Sequence, residues 1–158
     1  MERLWTPWRM EYIQGVHEAE GCIFCDLPSA GDDERAYILG RGTLAFVVLN
    51  AYQYNPGHLM VAPFRHVGEF EELDEDEWED IGRLLRRSVV AINAAADPAG
   101  FNVGMNLGRV AGAGIPDHLH WHVVPRWSGD TNFMSIVGET RVLPELLAET
   151  YAKLKPQF

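Results

Sequence analysis

The chain has 158 residues, 47% of them hydrophobic, which suffices for one sizeable core and is cramped for two, so a single domain spanning residues 1–158 is expected. Its formal net charge of -10 repels polyanions and argues against nucleic acid held through the phosphate backbone; a phosphorylated ligand has to be small and held by local positive potential. No run of eighteen apolar residues occurs, and Met1 to Trp8 lack the apolar stretch and small-residue cleavage site of a secretory signal, so no membrane partner and a cytoplasmic location are expected.

In chain order, Cys22-Ile-Phe-Cys25 comes first, a pair too local for a disulfide that stabilises by closing a long loop. Two thiolates on a tight turn suit a zinc knuckle, which needs two further ligands. Two small buried hydrophobes and a redox Cys-x-x-Cys are the alternatives, the redox one weakened by the lack of a surrounding βαβ pattern. Thr43 to Asn50 and His58 to Pro63 are rich in aliphatic and β-branched residues, and Asn55-Pro-Gly57 between them carries turn chemistry, which predicts a strand pair. From Asp74, residues Trp78, Ile81, Leu84, Leu85, Val89 and Ile92 recur at helical spacing. Asp74 with Glu77 forms a capping box and Asp97-Pro-Ala-Gly100 stops the run, so the longest helix is expected over about Asp74 to Ala95.

Phe101, Val103, Met105 and Leu107 then alternate with Asn102, Gly104 and Asn106, the period of a half-buried strand. A glycine-rich loop, Gly108 to Asp117, leads to a strand from His118 to Val124, and a last helix is expected from Pro144, burying Leu146, Leu147, Tyr151 and Leu154. Strands, a long helix, more strands and a terminal helix predict an α+β domain with an antiparallel sheet.

His118-Leu-His-Trp-His122 holds three of the chain's six histidines. In a strand successive side chains alternate faces and rise about 3.3 Å each, so the three imidazoles share one surface with Leu119, Trp121 and Val123 behind them. Three readings stay open at this point. The histidines can be exposed polar positions of an amphipathic strand, a metal-binding His-x-His pair of the zinc-hydrolase kind, or a nucleophilic centre in which a neutral imidazole attacks phosphorus beside an imidazolium.

These residues resemble the His-x-His-x-His motif of the histidine triad (HIT) superfamily of nucleotidyl transferases and hydrolases. Phe46-Val-Val-Leu-Asn50, eight residues before His58 of Asn55-Pro-Gly-His58, is similar to that family's nucleotide-binding strand and turn. Trp5-Thr-Pro-Trp-Arg9, Gly112-Ala-Gly114 and Val124-Pro-Arg-Trp127-Ser-Gly-Asp-Thr-Asn-Phe-Met134 further resemble the bacterial branch that includes diadenosine tetraphosphate phosphorylases.

The resemblance implies a HIT-like sheet of about five strands with the long helix and the C-terminal helix on one face, and a homodimer whose sheets join, for which Trp78 is an exposed apolar candidate. It implies His120 as the nucleophile that forms a nucleotidyl-imidazole intermediate and His122 as the residue that bonds the phosphoryl oxygens and assists the leaving phosphate. Asn50 matches the ribose-binding position and His58 lies near the nucleotide. Asn106 is a candidate for holding the phosphates, Gly112 and Gly114 let backbone amides approach an anion, and Trp127 is a candidate wall for the base. Zinc-bearing relatives imply structural Zn²⁺ on Cys22, Cys25, His66 and His118.

One departure stands out: many hydrolytic members carry Gly-Gln where this chain has Ala113-Gly114. The missing glutamine favours orthophosphate over water as acceptor, so phosphorolysis of dinucleoside polyphosphates is the expected reaction. Hydrolysis of dinucleoside polyphosphates or nucleoside phosphoramidates, and a non-catalytic nucleotide-binding module, are the competing readings.

Overall fold

The computed structural model describes residues 21–130 and 145–158. The Trp5 to Arg9 motif, residues 131–134 of the downstream motif and Pro144 lie outside the described residues. The elements in order are α1 (Ile23–Ser29), β1 (Ile38–Arg41), β2 (Ala45–Leu49), β3 (Leu59–Pro63), α2 (Glu75–Ala96), β4 (Gly100–Gly104), β5 (Trp121–Arg126) and α3 (Leu147–Leu154). The five strands form one antiparallel sheet in the order β1-β2-β3-β5-β4. The α+β architecture expected from the element order is therefore present.

Alternation along the strands sorts side chains between two cores. Val47, Leu49, Leu59, Val61, Leu119, Trp121 and Val123 face one side, where they pack with Ile81, Leu84 and Ile92 of α2 and Tyr151 and Leu154 of α3. Phe46, Val48 and Ala62 face the other side and pack with Ile38 and with Phe24 of α1. Because both helices of the first face are apolar on one stripe only, they leave the second face to α1 and to the polar residues described below. The short α1 and β1 carry too few periodic residues to stand out in the sequence.

The long helix begins as its capping box requires: the Asp74 carboxylate accepts from the Glu77 amide at 2.8 Å, and Glu77 reaches back to the Asp74 amide at 3.3 Å. Glu77 also takes two bonds from the Arg65 guanidinium, at 2.8 and 2.6 Å, while itself only 3% exposed. Arg65 holds the Glu77 carboxyl below its ordinary range against the opposing pull of burial. The sign follows: a depressed folded value stabilises above the unfolded carboxylate value of about 4.3 and is lost as pH falls through the folded one. Glu77→Ala is expected to cost about 2 kcal/mol at pH 7 by urea unfolding, with the difference from wild type shrinking below about pH 4.

Three local expectations are corrected. The β5 ladder begins at Trp121, not His118, because the Leu119 amide donates to Val67 O at 2.7 Å and not to β3; the rings of this stretch donate to backbone as well, His118 to Pro63 O at 2.9 Å and His120 to His118 O at 2.8 Å. His118 lies in a bend, and Leu119 and His120 lead from it into the strand. The last helix, α3, begins at Leu147 and not at Pro144, so Leu146 caps it from outside and is exposed instead of buried. The cysteines flank the first turn of a helix, with the Cys22 carbonyl accepting from the Cys25 and Asp26 amides at 2.9 Å, where a plain turn was expected.

Candidate functional site

Four of the predicted residues converge at the start of the histidine segment. The ligand atoms of Cys22, Cys25, His66 and His118 all lie within 4.8 Å of one another. His118 is fully buried, and its Nε2 donates to Pro63 O, which leaves the Nδ1 lone pair facing Cys22 Sγ at 3.2 Å and Cys25 Sγ at 3.6 Å. His66 Nδ1 approaches Cys25 Sγ at 3.4 Å. Bonds of about 2.3 Å to sulfur and 2.0 Å to nitrogen at tetrahedral angles place such donors about 3.5 Å apart, so the donor set fits one tetrahedral ion. Both cysteines are free thiols. Burial, then the Cys22 thiol beside it, pushes the Cys25 thiol up to about 11. A bound cation reverses that cost by taking the thiolate as ligand, and the Pro63 carbonyl supplies the second-shell bond that fixes the histidine tautomer. The cluster can hold a metal.

The same segment then turns to the second face of the sheet. His120 is buried, and its Nδ1–H donates to His118 O, so the lone pair sits on Nε2. Burial lowers its proton affinity, which keeps the ring neutral near pH 7. Phe24, carried between the two cysteines by α1, lies 4.8 Å from the His120 ring and 5.3 Å from that of His118. His122 follows at 5.1 Å from His120, nearly perpendicular to it.

A second chain of bonds runs in from the β2–β3 turn. The Tyr54 amide donates to His58 Nδ1 at 3.1 Å, so the His58 proton sits on Nε2 and points at His122 Nδ1, 3.0 Å away. His122 in its neutral form therefore carries its proton on Nε2. Asn50, its oxygen held by the Tyr52 amide at 2.9 Å, turns its Nδ2 toward His58 Nδ1 at 3.3 Å. Gly57, at a φ of +81°, supplies the left-handed backbone that delivers His58 into this position.

The structure thus brings together Asn50, His58, His120 and His122, and separately the four metal-ligand candidates, with His118 and His120 joining the two groups. Asn106 lies beside His122 in a trough of about 370 Å³ and its Nδ2 donates to Gly112 O at 3.4 Å, which ties the strand to the glycine loop. Gly112 takes a left-handed conformation and Gly114, two residues on, is half-buried. Trp127 stands apart: it lines a different cavity of about 600 Å³ bounded by Ile92 and Ala96 of α2 and Leu154 of α3. Tyr54 and Phe24 were missed by the sequence reading. Tyr54 stacks on His58 at 4.6 Å, and only its four-residue spacing from His58 hinted at it.

The chain is similar to known proteins in sequence and in fold. The HIT domain model matches residues 33–129. An AP-4-A phosphorylase of Mycobacterium tuberculosis is 42% identical over 166 aligned residues, covering 100% of this chain and 85% of that one. An adenosine 5'-monophosphoramidase of Schizosaccharomyces pombe is 30% identical over 66% of this chain and 74% of its own. Among solved structures, a histidine triad nucleotide-binding protein of Sulfolobus tokodaii superposes with a TM-score of 0.67 at 26% identity over 86% of this chain and 88% of its own. A zinc-bound histidine triad family protein of Mycobacterium smegmatis gives 0.70 at 23% identity over 87% and 92%. Among the described residues no helix is long and apolar enough to cross a membrane. With the domain match, the full-length relative and the paired histidines all in one fold, the chain belongs to the histidine triad (HIT) family.

Proposed function

We propose that this protein transfers a nucleotidyl group from a dinucleoside polyphosphate, such as diadenosine tetraphosphate, to orthophosphate through His120. The observation that carries the reading is the pair of ring hydrogen bonds that leave a neutral His120 with its lone pair on Nε2 and set His122, 5.1 Å away, with its proton on Nε2. In the first step His120 Nε2 attacks the α-phosphorus; the N–P bond forms, the bridging P–O bond breaks, and the nucleoside triphosphate leaves with that electron pair. In the second step an orthophosphate oxygen attacks the same phosphorus, the P–N bond breaks, and a nucleoside diphosphate leaves free His120 behind. His122 Nε2–H donates to the phosphoryl oxygens throughout, and Asn50, at the end of β2, takes the ribose. Asn106 and the loop at Gly112 and Gly114 hold the phosphates, His58 fixes His122, and Trp127 has no part in the first nucleotide's subsite on this reading.

Phosphorolysis, in preference to hydrolysis, is supported by the 42% identical full-length relative and by Ala113-Gly114 standing where hydrolytic members place Gly-Gln. The metal is structural Zn²⁺, favoured by the Cys₂His₂ donor set, and it anchors the start of the histidine segment. The partner is a second copy of the chain. Among the described residues β4 is an outer strand of the sheet with no neighbour beyond it, so its unpaired backbone groups carry the joined sheet, and Val103 on it and Trp78 on α2 are both about half exposed. Incubating the protein with diadenosine tetraphosphate tests the reaction: turnover is expected to require orthophosphate and to yield ADP and ATP in equal amounts. Equal turnover without orthophosphate, giving AMP and ATP, would assign hydrolysis instead.

A further inference from the structure

Edge strand β4 and strand β5 share a face on which Asn102 stands opposite Val124 and Gly104 opposite His122. These strands line the trough of about 370 Å³ together with Tyr54 and Arg126. Three features set it apart. A Cβ built at Gly104 meets nothing within 4 Å, so the missing side chain is not required by packing and its effect is to leave the space beside His122 open. In a chain of net charge -10, no carboxylate lines the trough among the described residues, and Arg126 is the one charged residue of its described lining. The Asn102 oxygen is taken by Arg126 Nη1 at 2.7 Å, which turns the amide so that it offers donors to a ligand. Asp130 holds Arg126 from behind through bonds of 2.6 and 2.9 Å, so the guanidinium is fixed in orientation before any ligand arrives.

We infer that this trough is the subsite for the departing nucleoside polyphosphate, the half of the substrate that is not attached to His120. The inference rests on the nucleotidyl-transfer reading. An in-line displacement places the leaving oxygen on the far side of phosphorus from His120, and His122 borders both the nucleophile and the trough. The ligand class is an anionic polyphosphate chain with a nucleoside at its end. Tyr54 offers a ring at the wall, and the Asn102 amide and Arg126 face the anionic chain.

Asn102→Asp tests it, since it sets a carboxylate against the anionic chain, two residues along β4 from the position opposite His122, and keeps an oxygen that accepts from Arg126. Asn102→Ala removes the amide instead. Two substrates are compared: diadenosine tetraphosphate, and adenosine 5'-phosphorimidazolide, whose leaving group is a single imidazole. For Asn102→Asp, kcat/KM for the tetraphosphate is expected to fall at least tenfold while that for the imidazolide stays within twofold; Asn102→Ala shifts the same ratio in the same direction. A shifted ratio in either variant supports the subsite, because a folding defect moves both substrates together. An unchanged ratio in both variants overturns it. Wild-type protein that turns over neither substrate removes the underlying reaction and the subsite with it.

Discussion

Replacing His120 with alanine is expected to lower kcat by at least about 10⁴-fold while leaving the Kd for a nucleoside monophosphate within a few-fold, because a covalent route loses its nucleophile and the binding residues stay in place. The size of the effect follows from what the ring does alone. Its Nδ1–H is committed to His118 O, its burial keeps it neutral, and the remaining lone pair is the only part of the residue left for chemistry. His122 does not substitute: its Nδ1 lone pair accepts from His58, and its Nε2 carries a proton. The complementary test is His120→Gly with added imidazole. Free imidazole diffusing into the vacated space is expected to restore part of the rate, whereas a purely structural His120 would show no such rescue.

The second large effect is expected from Cys25→Ser. Wild-type protein purified without chelator is expected to carry close to one zinc per chain, and the variant well under one half. A structural zinc of this type contributes on the order of 10 kcal/mol of apparent binding energy. Loss of one thiolate that removes about 4 kcal/mol would lower Tm by roughly 10 °C, at about 2 to 4 °C per kcal/mol for a domain of this size. Activity is expected to fall with it, for a local reason. On the proposed reading the His118 side chain would take the metal, and its carbonyl accepts from the His120 ring, so loosening one loosens the other. Phe24 transmits the same disturbance, since α1 positions it between the two cysteines and against the His120 ring. A metal-free preparation with wild-type Tm and rate would refute the assignment.

Long-period features were legible in the sequence. The helix at Glu75–Ala96 and its Asp74–Glu77 cap follow from apolar spacing and from two side chains three residues apart, both local properties. The β2–β3 pair follows from two β-rich runs around a turn. The four metal-ligand candidates come from widely separated positions, and spacing alone left two of them open; the resemblance to zinc-bearing relatives supplied His66 and His118, and the structure brings all four together. What could not be read is of another kind. The strand start at Trp121 depends on the Leu119 amide donating to Val67 O, a partner that it meets only once the chain has folded. The tautomers of His58 and His122 depend on the Tyr54 amide, and the openness beside His122 on a glycine in a neighbouring strand. Leu146 misled because helical spacing assigns a face without saying where the helix begins.

The most direct measurement is a rapid-quench experiment in which the protein meets diadenosine tetraphosphate without orthophosphate, followed by intact-mass analysis and peptide mapping at alkaline pH. A single adenylyl group on His120, stable to base and labile to acid, is expected, formed with release of one ATP and discharged as ADP when orthophosphate is added. Turnover at full rate with no adduct at any time point, or an adduct on another residue, would contradict nucleophilic catalysis by His120.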